Sequence, residues 1–275
     1  MPELPEVETL RRTLARSIIG ETVAIVTLSI PKMLKEPRQD VDRFTAALIG
    51  TSVKDIQRRG KHLIFELSSG YYLLFHLKMR GQMIVVPTLE PIAKYHALSL
   101  SMASGKDLRF HDIWTWGEFR LLDADELEKH APLVKMGVEP LSEDFTIESL
   151  QSGFKRRSKS AIKAVLLDQS IVAGIGNIYA DESLFRARIK PTRLAGNLTA
   201  EETLGLRDRI RDVLESATGG GGTVSDNYVD ADGNAGNYHP QVYDKAGEPC
   251  PDCGAPLTKI RVAGRGTVYC TECQV

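Results

Sequence analysis

The chain has 275 residues, with 35 Lys+Arg against 36 Asp+Glu and a formal net charge of -1. At 42% hydrophobic and 26% charged residues the composition excludes a disordered or collagen-like chain, and the charge balance excludes a generally basic, histone-like protein. A nucleic-acid ligand would require positive charge concentrated on one face. The length suffices for two domains. No run of about 18 apolar residues occurs, so no spanning helix and no membrane partner are expected. The start, MPELPEVETL, holds prolines and glutamates where a secretory signal needs a basic and then an apolar stretch, so the expected location is cytoplasmic.

After the prolines, Val7, Leu10, Leu14 and Ile18 repeat at helical spacing over residues 5–18. From about 22 to 123 the pattern changes to short segments rich in β-branched and aromatic residues: TVAIVTLSI, HLIFEL, YYLLFHL, QMIVV, HALSLSM and EFRLL. Gly60, Gly70, Gly81, Gly105 and Gly117 punctuate them, which predicts an antiparallel β sandwich or barrel. A linker is expected over 131–145. Residues 146–217 read as helices, the clearest from Thr199 to about Ala217. Thr199 with Glu202 makes a capping box there, and Leu206, Ile210, Val213, Leu214 and Ala217 form the buried stripe. The GGGG run at 219–222 ends that helix. Residues 223–240 are polar, Gly- and Asn-rich and aperiodic, as in a lid, a binding loop or a disordered segment. The fold class is therefore α+β.

Cys250, Cys253, Cys270 and Cys273 form two C-x2-C knuckles sixteen residues apart. Each knuckle points two thiolates at one ion, and two knuckles complete the tetrahedron that zinc prefers. Between them, TKIRVAG and RGTVYC read as a β-hairpin joined at Gly264 and Gly266. Two disulfides are the alternative, disfavoured in a chain expected to stay in a reducing compartment. With four protein ligands, a single zinc is structural and the chemistry lies elsewhere.

Three further features bear on chemistry. KRRSKSAIK (155–163) and IQRRGKHL (56–63) concentrate cations in a neutral chain. Either is a solvated face by itself; together, beside Arg261 and Arg265, they favour a phosphate-tracking surface. VAGIGNIYADESLF (172–185) places Gly174 and Gly176 in a tight turn opening onto a helix, where backbone N–H groups and Asn177 can hold an anion, or where two helices merely meet. Removal of Met1 would expose Pro2 as a secondary amine, substantially unprotonated near neutrality and able to attack an aldehyde carbon. Glu3 and Glu6 lie within one turn and can relay protons. The simpler reading of Pro2 and Glu3 is that they start a helix.

Taken together these residues resemble the bacterial formamidopyrimidine-DNA glycosylases and the wider group that includes endonuclease VIII. MPELPEVETLRR, RRGKHL at 58–63, HLKMRG at 76–81, GIGNIYADESLF at 174–185 and the four-cysteine finger occur in the family's order across essentially the whole chain, and PELPE favours the formamidopyrimidine branch. The resemblance implies an N-terminal helix and β sandwich over 1–130, the linker 131–145, and a helix–two-turn–helix domain over 146–240 carrying a lesion-capping loop at 223–240. A zinc finger over 241–275 follows, with DNA in the cleft between domains. It implies base excision repair on double-stranded DNA, removing oxidised purines such as formamidopyrimidine and 8-oxoguanine and cutting abasic sites by β,δ-elimination; a monomer is expected because nothing in the sequence resembles a dimer seam. Pro2 is then the nucleophile at C1′, Glu3 the proton donor to the opening deoxyribose, and Glu6 its support. Lys61, Asn177, Arg265 and Lys163 grip phosphates, Met79 fills the gap in the stack, and Tyr238 belongs to the capping loop.

The chain departs from the family at Asp112-Ile113-Trp114-Thr115-Trp116-Gly117. Trp116 falls where the aromatic wedge belongs, with a larger stacking area. Thr115 falls where the family's arginine reads the base opposite the lesion, and threonine lacks that multi-donor fork. Weaker preference for cytosine opposite the lesion is the expectation. Both tryptophans could instead belong to the sandwich core. Two other functions compete: the same chemistry on oxidised pyrimidines or other lesions, and a catalytically silent binder of damaged DNA. A protein-binding zinc-ribbon scaffold is disfavoured by the basic runs and the GIGN turn.

Overall fold

Leu4–Ile18 folds as helix α1, burying Val7, Leu10, Leu14 and Ile18 as their spacing requires. In this computed structural model residues 1–224 and 228–275 are described, and they fall into two units: Met1–Val134 with Gly220–Asn237, and Lys135–Gly219 with Tyr238–Val275.

In the first unit α1 is followed by β1 (Val23–Leu28), β2 (Leu34–Glu36), α2 (Val41–Leu48), β3 (Val53–Arg59), β4 (His62–Leu67), β5 (Tyr72–His76), β6 (Gly81–Pro87), β7 (His96–Met102), β8 (Lys106–Asp112) and β9 (Glu118–Leu122), then by short helices α3 (Ala124–Glu128) and α4 (Ala131–Val134). One sheet has the order β1-β7-β8-β6 and the other β2-β9-β5-β4-β3, antiparallel throughout except for β2 beside β9. Phe75 of one sheet meets Phe110 of the other with ring centroids 5.7 Å apart, within a core shared by both sheets. The sandwich is thus the observed alternative.

Strand β8 and strand β3 escape the sequence pattern because charged residues interrupt their alternation. In β8 Asp107 and Arg109 are buried and satisfied. Asp107 and Arg109 pair at 2.9 Å, and Arg109 also donates to the carbonyls of Glu90 (2.7 Å) and Pro91 (3.0 Å).

The loop after the GGGG run corrects the expected domain boundary. Of this stretch, residues 220–224 and 228–237 belong to the first unit, where hydrogen bonds tie them. Ala231 N–H donates to Thr13 Oγ1 at 3.1 Å, and Val85 N–H donates to Ala231 O at 2.8 Å. Ser225, Asp226 and Asn227 of the expected lesion loop lie outside the described residues.

The second unit contains α5 (Ile147–Arg156), α6 (Ile162–Leu166), α7 (Asn177–Arg186) and α8 (Ala200–Gly219), then the hairpin β10 (Thr258–Val262) and β11 (Arg265–Tyr269). Helix α8 starts at the predicted box, with Thr199 N–H donating to Glu202 Oε2 and Glu202 N–H to Thr199 Oγ1. The hairpin turns at Ala263 and Gly264, both at positive φ, while Gly266 lies within β11. The finger does not stand apart at residue 241: Phe185 of α7 shares one apolar cluster with Val242, Cys250, Leu257, Val268 and Cys270. Among the described residues no helix is long and apolar enough to cross a membrane.

Candidate active site and nucleic-acid interface

The start of α1 assembles the first group. Glu3 and Glu6 form a capping box in which Glu3 N–H donates to Glu6 Oε2 at 2.8 Å. The other oxygen, Glu6 Oε1, accepts from Thr223 N–H at 2.9 Å, and the Glu6 carbonyl accepts from Tyr228 Oη at 3.0 Å. Glu6 is thereby fixed from two sides and in turn fixes the backbone of Glu3; both side chains are buried. Gly222 is required here: at φ +98 its added Cβ would lie 2.8 Å from Tyr228 and 3.2 Å from Glu6 Cγ.

The N-terminal amine lies within the electrostatic reach of this group. Burial pushes it below the ordinary α-amine range, Glu3 and Glu6 oppose that shift, and Lys61 and Arg80 add to it. Pro2 is buried beside it. Lys61, also buried, follows Gly60 in the tight β3–β4 turn, so the basic knot read from the sequence is a hairpin tip. Its neighbour His62 is pushed down to about 4 by burial and by nearby cations, which leaves it neutral at neutral pH.

Strand pairing builds the second group. Gly81 pairs with Asp112, which sets the Met79-Arg80 turn beside the 112–117 loop at one end of the β6–β8 ladder. The Asp112 carboxylate organises that loop by accepting from Trp114 N–H at 2.9 Å and Gly117 N–H at 2.6 Å. A side chain at 117 would collide with Phe110, its Cβ 2.5 Å from the ring. Trp114 and Trp116 are 41% and 58% exposed, so neither is a core residue. Met79 is half-buried.

In the second unit, Asn177 opens α7 and donates from Nδ2 to Gly266 O at 2.9 Å, which brings it beside the exposed Arg265. The GIGN turn is braced by Gln169, whose Oε1 accepts from Gly174 N–H and whose Nε2 donates to Ile175 O, so the Gly174 N–H is already used. Two expected phosphate or loop residues are corrected. Lys163 is fully buried; its Nζ lies 2.6 Å from Asp181 and donates to Thr267 Oγ1 (2.7 Å) and Gly266 O (3.1 Å). It holds the hairpin against α7, its ammonium engaged within the protein. Tyr238 is not part of the loop that packs on the first unit. It is buried in the second, its hydroxyl donating to Glu182 Oε2 at 3.2 Å and its ring 5.8 Å from that of Tyr179.

The four cysteines converge, with all Sγ atoms within 4.8 Å of one another. A tetrahedral zinc with bonds of about 2.3 Å separates its sulfurs by about 3.8 Å. The Cys250–Cys273 and Cys253–Cys270 distances of 3.9 and 3.5 Å fit that tetrahedron, and the cysteines are unbridged. The site binds one structural zinc, ligated by all four thiolates, with no position left for a substrate.

Comparison with known proteins covers most of the chain with three family segments. Residues 1–119 match the formamidopyrimidine-DNA glycosylase N-terminal domain, 136–228 the H2TH domain of the same enzymes, and 247–275 a zinc finger found in them and in IleRS. A formamidopyrimidine-DNA glycosylase of Desulforamulus reducens is 42% identical over 278 residues, spanning all of this chain and 99% of the relative. The chain belongs to the formamidopyrimidine-DNA glycosylase family. Among solved structures, Lactococcus lactis Fpg in complex with DNA containing an abasic site superposes with a TM-score of 0.91, at 35% identity over 99% of each chain. The MutM (Fpg) protein of Thermus thermophilus superposes with a TM-score of 0.87, at 40% identity over 99% of this chain and 98% of that one.

In this member of the glycosylase family several contributors had no role assigned from the sequence, although Arg80 lies in HLKMRG and Glu182 in GIGNIYADESLF. Arg80 acts on the amine from the adjacent turn, and Thr223 and Tyr228 reach Glu6 from more than two hundred residues away. Glu182, fully buried, accepts from the N–H groups of Gln241, Val242 and Tyr243, and so ties the chain leading to the finger onto α7. For Gly222 the hint was the GGGG run, which is longer than a helix stop needs.

Proposed function

We propose that this DNA glycosylase of base excision repair uses Pro2, once Met1 is removed, as the nucleophile at C1′ of a damaged nucleotide. The observation that carries this reading is the α1 terminus. There the Met1 amine, partly buried among Glu3, Glu6, Lys61 and Arg80, is held below the ordinary α-amine range, and Pro2 is buried next to it. Removal of Met1 would expose the Pro2 amine next to the same groups, and attack requires that its lone pair be free near neutrality. As the nitrogen bonds C1′ the glycosidic bond breaks and the base departs. Glu3 protonates the opening deoxyribose, and the resulting iminium permits β- and then δ-elimination. Glu6, acceptor of two backbone N–H groups, keeps Glu3 in place.

Lys61 in the first unit and Asn177 and Arg265 in the second are the proposed phosphate ligands, with Met79 and Trp116 as wedges that offset the cost of unstacking. The favoured lesions are oxidised purines, and the proposed location is the cytoplasm of a bacterium. Borohydride trapping on duplexes carrying an abasic site, 8-oxoguanine or an oxidised pyrimidine tests the mechanism. A covalent adduct at Pro2 is expected, lost in a protein that retains Met1. Glu3→Gln should still bind the lesion duplex while base excision falls by at least about a hundredfold. No adduct from a processed N-terminus would leave only a damage-binding protein.

A further inference from the structure

We propose that the cavity between strands β6 and β8 and the 88–95 segment is a binding site for a free adenosine monophosphate. The site does not depend on the glycosylase reading. The cavity measures about 200 Å³, and Arg80, Gln82, Ile84, Lys94, Tyr95 and His111 are among the residues around it. Its outer wall is built into the fold. Arg109, buried and paired with Asp107, donates to the carbonyls of Thr88 (3.3 Å), Glu90 (2.7 Å) and Pro91 (3.0 Å), and so holds that turn against the sheet. Tyr95, at φ +66, has its carbonyl tied by Asp112 N–H at 3.1 Å.

The polar groups of the cavity select the ligand. Gln82 and His111 are partners across the β6–β8 register and so share one face of the sheet. His111 donates to the Lys94 carbonyl, and its Nε2 is buried with no hydrogen-bond partner. The bond to Lys94 therefore uses Nδ1, and Nε2 of the neutral ring is an acceptor. Burial, His96 and Arg109 all hold this imidazole below its ordinary range, which keeps it neutral near neutrality. A ligand must bring a donor to Nε2, because an apolar group would leave the acceptor orphaned. The adenine amino group carries two N–H bonds. A glutamine takes one of them while its own amide reaches adenine N7, and the other remains for His111. Ile84, on the same face as Gln82, and the exposed Ile113 offer apolar surface to the flat ring. Lys94 Nζ lies 4.9 Å from the centre of the Tyr95 ring, and with Arg80 it supplies two cations for a phosphate. No carboxylate is among the described lining residues. The cavity is smaller than the roughly 300–1,000 Å³ that encloses a drug-sized ligand, so it takes a single base and leaves the phosphate on the open side.

Calorimetric titration of the full-length, zinc-loaded protein with AMP tests the site, alongside dAMP, GMP, CMP, adenosine and inorganic phosphate. AMP and dAMP should bind saturably, one per chain, with the other four at least about fivefold weaker. His111→Phe should weaken AMP by a similar factor. Lys94→Ala, at an exposed position, should weaken it more at low salt than at high. Ile84→Trp should fill the cavity and abolish binding. AMP should still bind when Asn177 and Arg265 are both replaced by alanine. No binding at millimolar AMP, equal affinity across the series, or loss in the Asn177/Arg265 variant with the cavity variants unaffected would each overturn the site. So would binding of adenine nucleotide only as part of a single-stranded oligonucleotide. AMP binding in a protein that gives no abasic-site adduct would leave the site standing and overturn the glycosylase reading instead.

Discussion

The start of α1 and the Lys163 pocket both bury charged side chains, but to opposite ends. At α1, Glu3 and Glu6 are held by backbone N–H groups while the chain's amine remains beside them. Around Lys163 a cation, the Asp181 carboxylate, a hydroxyl and a carbonyl satisfy one another within a fully buried cluster. Burial pushes the Asp181 carboxyl up to about 6 even against the neighbouring ammonium. The first arrangement holds groups ready for an incoming ligand, and the second joins two segments of chain. A basic run in sequence contains both kinds of lysine, and only the partners of each ammonium tell them apart.

The largest effect that sharpens this contrast is expected at the zinc. Chelation under mild denaturation should release one metal per chain, and because structural zinc contributes on the order of 10 kcal/mol, the β10–β11 hairpin should lose its structure. Amide exchange should then rise around Arg265 and Lys163, with the 3–59 region protected as before. Unchanged protection in the second unit would break the claim that the finger and Lys163 form one structural cluster.

Next comes Lys163→Met, which strands a buried Asp181 carboxylate and should cost about 3–5 kcal/mol in chemical denaturation. The double variant Lys163→Met/Asp181→Leu should recover much of that loss. A phosphate-binding Lys163 would behave otherwise, with DNA affinity falling and stability unmoved.

The smallest effect lies at Glu8, the α1 acid that serves packing. Its carboxylate accepts from Arg11 and Arg12 and from Arg58 of β3. Although burial opposes the shift, these partners hold it at about 2, below its ordinary 4.5. Glu8 therefore contributes up to about 3 kcal/mol above pH 4.5, and that contribution is lost as the pH falls toward 2. Glu8→Gln should be less stable at neutral pH and should show a shallower acid limb. An unchanged limb would mean that these arginines do not stabilise α1 through Glu8.

Much of this protein is legible in its amino-acid sequence. The stripe of α1, the strands β4, β7 and β9, the Thr199–Glu202 cap and the four zinc ligands are local patterns, set by periodicity, capping chemistry and ligand spacing. The candidate nucleophile and its acids are legible for the same reason, being adjacent in the chain. Three things were decided only by tertiary structure: that loop 220–237 closes on Glu6 from the far end of the sequence, that Trp114 and Trp116 face solvent, and that Lys163 and Tyr238 turn inward. Each depends on which distant groups meet a side chain, because a charge or an aromatic ring takes its meaning from the partners and solvent around it.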